Sequence, residues 1–547
     1  MADPVDRFGA AAIPEDQRPL TRARLAAALV VPGLAAALLV HNARGTYSSA
    51  DAAEELERRL TGFRGWDDIA IAGARYASGD YPVAAYEIAN RNRRDLPDFL
   101  AYRDELLREL RRARVRPQQF WRTIDASAFK DDARVLARRW DDSGRVLLLA
   151  LGFQGLGGIA PFLLFWLGIL AALPVLVWLG AELCLAGRPP AAAALLALVA
   201  SSAFVIDLLM LDYSAAGFSL LAVLLVALLA AYAFFGMPRP RGLLLRALLA
   251  GLLFGWFTAA RSGSLLTLAG VVPALLVASW RALPAARPSR RAALALAALV
   301  LYAAPCALPP LLHERWLQGT LERLQIYRKP KAVHDVWVTL WQGLGDFDRS
   351  KGHTFLDKAG ELEAKKHGSP LRLSERSEEL FRSLLLRDVR EDPLWYAGIL
   401  AKRTLATLTL RKLWPWGPLD GKSFAEASHP AEGVTDNYWG MTQRADFFRL
   451  GRSTWEAPMP LLLLPTLGLL GFALVAREPL RADARRGVGV TACVALAALP
   501  APVLVSTAAG FEAETFVIAH LTGAAFFAEC GFYALRRAAA ARAGSRR

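Results

Sequence analysis

The chain has 547 residues and a formal net charge of +15. Apolar residues make up 54% of it, charged residues 21%, and the mean hydropathy is +0.28. That balance excludes a disordered chain and a simple soluble enzyme, because apolar residues in such number must be segregated into blocks, as in a polytopic membrane protein with sizeable water-exposed parts.

The basic excess is carried by Arg, since only ten of the 65 basic residues are Lys. Such Arg- and Ala-rich usage points to a bacterial chain. Charge beside membrane spans accounts for the excess, so no nucleic-acid partner is expected. Cys184, Cys306, Cys493 and Cys530 all fall in apolar segments. Neither a disulfide framework nor a structural zinc site is expected from them.

A bilayer core of about 30 Å needs about 20 apolar residues per helix. On that criterion ten spans are predicted, at 23–41, 161–187, 191–211, 214–236, 247–262, 264–280, 292–312, 458–476, 487–508 and 513–535. The first follows a polar N-terminus (1–22) and reads as a signal-anchor. Residues 161–312 then form a six-helix bundle, and 458–535 supply three C-terminal helices before a basic tail at 536–547. Arg residues cluster at the N-terminus (Arg7, Arg18, Arg22, Arg24), in three short connections (around Arg241, Arg287 and Arg481) and in the tail. Ten spans put all five clusters on one side, the cytoplasm, with both termini there. The apolar run 146–160 breaks this agreement if counted as a crossing. It is therefore read as an interfacial lead-in to the second span.

Two large segments then lie outside, at 42–160 and 313–457. The first reads as short helices: Ser48 to Asp51 resembles a capping box, and Gly65-Trp66-Asp67-Asp68 begins another helix. In the second, the run 333–345 is strand-like or a buried loop, and Ser374 caps a helix to about 391. Asp392-Pro393 opens a further helix to 412, because Pro suits the first helical turn. That helix carries Trp395, Tyr396 and Ile399 beside Lys402 and Arg403, the pattern of a helix lying at the membrane interface. The fold class expected is all-α.

Charges inside spans are costly and mark function. Asp207 lies near the outer end of the third span; Glu512, Glu514 and His520 lead into the last. Glu182 sits near an inner end, where its carboxylate can snorkel. Arg261 stands between two short spans, on the side whose other short loops carry no Arg or Lys. Its guanidinium offers paired donors to a lipid-linked phosphate. No nucleotide-binding or hydrolase motif is present.

The layout resembles the GT-C superfamily of membrane glycosyltransferases. The likeness rests on a first span followed by an acidic outer loop, and on the hairpin LLAGLLFGWFTAARSGSLLTLAGVVPALLV (248–277), similar to the Arg-bearing hairpin of protein mannosyltransferases and aminoarabinose transferases. It rests also on the interfacial helix 393–412 and on the acidic start of the last span. The resemblance implies transfer of a sugar from a polyprenyl-phosphate carrier to an envelope acceptor. It implies a catalytic carboxylate in the first outer loop, here Asp67 or Asp68 with Asp51 as a second candidate. Together with the charges inside the spans, this makes Arg261, Asp207, Glu512, Glu514, His520, Lys402 and Arg403 the expected substrate-binding residues. No cofactor is required, and a divalent metal held by Asp or Glu oxygens is compatible. An O-antigen ligase or polymerase, a transporter and a non-catalytic scaffold are the competing readings.

Overall fold

A computed structural model describes residues 21–47, 160–202, 205, 209, 216–323, 336–346, 351, 353, 357–368, 375–408, 449–450, 453–454, 463–505 and 515–544. It is helical almost throughout. The exception among these residues is a two-residue antiparallel ladder, Arg449–Leu450 with Ser453–Thr454.

Among the described residues, eight helices are long and apolar enough to cross a membrane, the architecture of a multi-pass membrane protein. They lie within α1 (Arg22–Tyr47), α2 (Ala160–Leu185), α4 (Ala216–Phe234), α5 (Pro240–Ala260), α6 (Leu268–Ala282), α7 (Pro288–Arg323), α13 (Leu480–Ala498) and α14 (Phe516–Gly544). Two more, α3 (Pro189–Ser201) and α12 (Leu463–Val475), are equally apolar but have 13 residues each. They occupy the places of the third and eighth predicted spans, next to stretches that lie outside the described residues (203–204 and 455–462). Conversely, α7 runs for 36 residues, about 54 Å at the helical rise, and so extends well past a bilayer core of about 30 Å.

The helix α4 is the axis of the bundle. Between Gly217 and Phe234, 94% of its residues are buried, and it packs against α2, α5, α6, α13 and α14. Apolar residues all round a helix suit that position. Close packing elsewhere depends on small residues. A side chain at Gly251 would place its Cβ 2.3 Å from the Tyr302 carbonyl oxygen, and one at Gly255 would meet Pro309 and Cys306 at about 3 Å. Gly251 and Gly255 thus form a small-residue groove that seats α7 against α5, the geometry favoured between helices in lipid.

The Arg-bearing connections gather at one end of the bundle. Arg281 donates to the Ala233 carbonyl, Arg188 bonds Asp483 and Glu529, and Arg24 lines the same cavity as Arg536. Arg246 lies inside α5 rather than in a loop, and pairs with Glu182 of α2 through its Nε at 2.8 Å. Glu182 is 6% exposed; it is a buried ion-pair partner, not a snorkelling carboxylate.

The opposite end carries a helical cap. It comprises α8 (Val336–Gly343), α9 (Asp357–Lys366), α10 (Glu375–Glu391) and α11 (Pro393–Leu408). Val338, Trp341, Leu344, Phe381, Leu384, Leu385 and Ile399 give the cap a small core of its own. Residues 336–343 are helical where a strand or buried loop is expected. Short apolar runs carry too few turns to reveal their period.

Candidate functional site

The cap end of the bundle collects the sequence-predicted site residues that are described. The helix α5 stops at Ala260, and Arg261 adopts an extended backbone with φ −150°. Its N–H still bonds Phe257 at 2.7 Å, and its carbonyl accepts from Ser264 at 3.0 Å. A single 3-10 stretch, Ser262–Thr267, then reverses the chain into α6. Thr267 Oγ1 donates to the Ser264 carbonyl at 2.7 Å, and Ser264 Oγ lies 3.4 Å from Ser219 Oγ of α4. These bonds hold the turn, and hence Arg261, against the start of the axial helix. The Arg261 residue is half-buried.

The cap is fastened to this end by Arg403. Its Nη1 donates to Val503 at 3.1 Å and Leu504 at 3.3 Å, and Nη2 donates to the Gly343 carbonyl. Val503 and Leu504 belong to a π turn, Ala501–Val505, that ends the span begun by α13. A helix C-terminus leaves carbonyls without partners and carries negative dipole charge, so a buried guanidinium answers both needs. Sequence reasoning groups Arg403 with Lys402 among the substrate-binding residues. The helix separates them: Lys402 is exposed while Arg403 is 0% exposed, on the stripe with Ile399 and Thr407. The described bonds of Arg403 are to backbone carbonyls within the fold.

His520 lies one turn into α14, 3% exposed, with Thr466 Oγ1 3.4 Å from its Nδ1 and the Phe516 ring edge-on at 4.7 Å. It ties α14 to α12. The other candidates, Asp51, Asp67, Asp68, Asp207, Glu512 and Glu514, lie outside the described residues, as do the run 146–159 and Ser374. Among the described residues no group of three or more His, Cys, Asp or Glu is placed to hold a metal ion.

The cap also holds a pair that sequence reasoning overlooks. His353 Nε2 lies 3.1 Å from Asp388 Oδ2, both buried. The imidazole stands edge-on to Trp341 at 4.9 Å and stacks on Trp395 at 5.7 Å. Burial holds His353 below its ordinary value of 6.5, and the Asp388 carboxylate acts in the opposite sense. Lys351 reaches over the same Trp395 ring at 4.4 Å, with its ammonium 3.7 Å from Asp392. Asp392 in turn caps α11, its Oδ1 accepting from the Trp395 N–H at 3.0 Å. The signal was present: Asp388 falls seven residues after Phe381, on the apolar face of α10.

At the Arg-rich end the overlooked feature is Arg188. Gly187 ends α2 in the left-handed region, φ +80°. Its N–H bonds Cys184 at 3.0 Å, and the Arg188 N–H bonds Leu183 at 2.8 Å, a Schellman stop. Pro189 and Pro190 then start α3. The turn aims Arg188 at Asp483 (2.7 Å) and Glu529 (3.3 Å). An acid in the middle of an apolar final span signals a buried cationic partner.

Searches against protein-family models, curated proteins and solved structures returned no match for this chain.

Proposed function

We propose that the chain is a membrane glycosyltransferase of the GT-C kind, moving a sugar from a polyprenyl-phosphate carrier to an envelope acceptor. The observation that carries the reading is a coincidence in space. The Arg261 turn and the cap clamped by Arg403 occupy the same end of the bundle. A lipid-linked donor needs such a place, because its phosphate sits among the headgroups and its sugar in water. The chain crosses the bacterial cytoplasmic membrane ten times, the short α3 and α12 included, with the Arg-rich end inside by the orientation rule for basic residues.

In the reaction, a carboxylate of the first outer segment, Asp67 or Asp68, takes the proton of the acceptor hydroxyl. The freed oxygen attacks the anomeric carbon from the face opposite the carrier. The bond from that carbon to the carrier phosphate oxygen breaks, and the sugar is transferred with inversion. The departing polyprenyl phosphate keeps the electron pair, and Arg261 stabilises its negative charge.

The test uses purified protein in neutral-lipid nanodiscs, with polyprenyl phosphate as ligand and radiolabelled polyprenyl-phosphate sugars as donors. Affinity for polyprenyl phosphate falls in the order wild type, Arg261→Lys, Arg261→Ala, the last by about ten- to a hundredfold. Asp67→Asn or Asp68→Asn lowers transfer by about 10²–10⁴-fold. Equal affinity across the Arg261 series, with transfer unchanged in the Asp67/Asp68 double variant, overturns the proposal.

A further inference from the structure

The Arg-rich end holds a cavity of about 370 Å³ that the proposed reaction does not use. Binding sites for small ligands run from roughly 300 to 1,000 Å³. Arg24, Arg188, Arg486 and Arg536 line it, against the two carboxylates Asp483 and Glu529. Both carboxylates bond Arg188. The described lining is thus basic, four guanidinium groups to two carboxylates. Arg188 Nε is moreover buried with no acceptor among the described residues, although both terminal nitrogens are paired.

The surroundings select the anion. Phe235, Phe526 and Tyr533 form apolar walls. At the rim, exposed apolar surface begins at once. Leu25 and Leu29 of α1, next to Arg24, are 48% and 78% exposed, and Phe532 and Leu535 of α14, beside Arg536, are 47% and 70% exposed. Helix ends also converge here, where α2 stops at Leu185 and α3 starts at Pro189.

We propose that this cavity binds the phosphodiester headgroup of an anionic phospholipid. The phosphate oxygens accept from the rim guanidinium groups of Arg24 and Arg536, whose forked donors match them. The acyl chains lie over the exposed apolar faces of α1 and α14. Basic pockets between helices at the inner face of a membrane are suited to such headgroups.

The experiment uses the full chain in phosphatidylcholine nanodiscs, titrated with phosphatidylglycerol and followed by thermal melting and by native mass spectrometry of retained lipid. Three doubly substituted proteins are compared with wild type: Arg24→Gln with Arg536→Gln, the same pair changed to Lys, and Arg287→Gln with Arg290→Gln at the same end but outside the cavity. Wild type and the third protein retain one phosphatidylglycerol and melt higher as it is added. The Gln pair binds about tenfold or more weakly, and the Lys pair falls between. Equal weakening in the first and third proteins reduces the effect to diffuse surface charge and overturns the site. So does displacement of the lipid by inorganic phosphate at equal concentration, which makes the ligand a free anion. Should the Gln pair melt abnormally in phosphatidylcholine alone, the Lys pair decides: wild-type affinity there rejects the site.

Discussion

A guanidinium nitrogen of Arg403 stands 3.1 Å from the carbonyl oxygen of Val503, 100 residues further along the chain. The same side chain reaches Gly343 in the opposite direction. One buried residue of the cap therefore closes the end of a membrane span and the end of α8 together. Arg403→Met removes those donors and strands their acceptors, at a cost of about 3 kcal/mol. Lys402→Met, one position away and exposed, changes stability by less than about 0.5 kcal/mol. Limited proteolysis between 336 and 408, alongside melting curves in detergent, measures both. Equal resistance in the two variants removes the clamp.

The His353–Asp388 pair makes the cap sensitive to acid. The folded pKa of His353 lies below its unfolded value of 6.5 because burial disfavours the imidazolium. On acidification the unfolded chain takes up a proton that the folded cap resists. Stability is therefore complete above about pH 7 and declines as pH falls through the unfolded value toward the folded one. Asp388→Asn removes the charge that favours the imidazolium, so the folded value moves lower still. NMR of imidazole protons gives the shift directly. A resonance assigned to His353, absent in His353→Gln, that titrates at or above 6.5 contradicts the account. His353→Gln should flatten the pH dependence of cap melting in this window.

The groove between α5 and α7 gives a sharper packing test. Gly251→Ala drives a methyl toward the Tyr302 carbonyl at 2.3 Å, overpacking that typically costs about 1–3 kcal/mol. Gly398 and Gly471 are also helical, but a Cβ there meets nothing within 4 Å. Ala at either of those positions should stabilise by roughly 0.5–1 kcal/mol through helix propensity alone. Opposite signs in melting temperature are expected. A uniform response to all three substitutions means α5 and α7 do not approach so closely.

Much of this fold was legible in the apolar blocks, because a membrane span writes itself as a long run. What the runs do not reveal is pairing at a distance. Glu182 and Arg246 are 64 residues apart, and Arg246 reads as a loop residue until α5 is seen to begin at Pro240. Lys402 and Arg403 look equivalent in sequence, yet consecutive helical positions point about 100° apart, and only one faces the core. The Gly251–Gly255 spacing and the acid at 388 are signals of the same kind, one of close helix contact and one of a buried partner. For the site, the Arg261 turn was legible as a charged break between two spans. The carboxylates proposed for catalysis rest on the family resemblance, and no spacing in the sequence ties them to Arg261.

Sidedness has a direct test, since all four native cysteines are buried. In a cell whose envelope is opened, a cysteine at exposed Leu362 in the cap reacts with a membrane-impermeant thiol reagent. One at exposed Ala285, in the connection from α6 to α7, does not until the membrane is broken. Labelling at 285 in intact spheroplasts reverses the orientation and places the Arg261 turn inside.

The last prediction couples a turn to an ion network. Gly187 sits at φ +80°, where a side chain costs about 1–2 kcal/mol. A Cβ there also meets the Arg24 guanidinium at 3.0 Å. If the Schellman stop exists to aim Arg188 at Asp483 and Glu529, Gly187→Ala weakens the ion pairs as well as the turn. Arg188→Met strands two largely buried carboxylates, a loss of about 3–5 kcal/mol. The two substitutions should then fail to add. In a double-mutant cycle the combined variant loses less than the sum, by about 0.5–3 kcal/mol, because Gly187→Ala has no ion pair left to disturb. Simple additivity in melting free energies separates the turn from the network, and Arg188 then owes its position to α3 and its Pro189–Pro190 start.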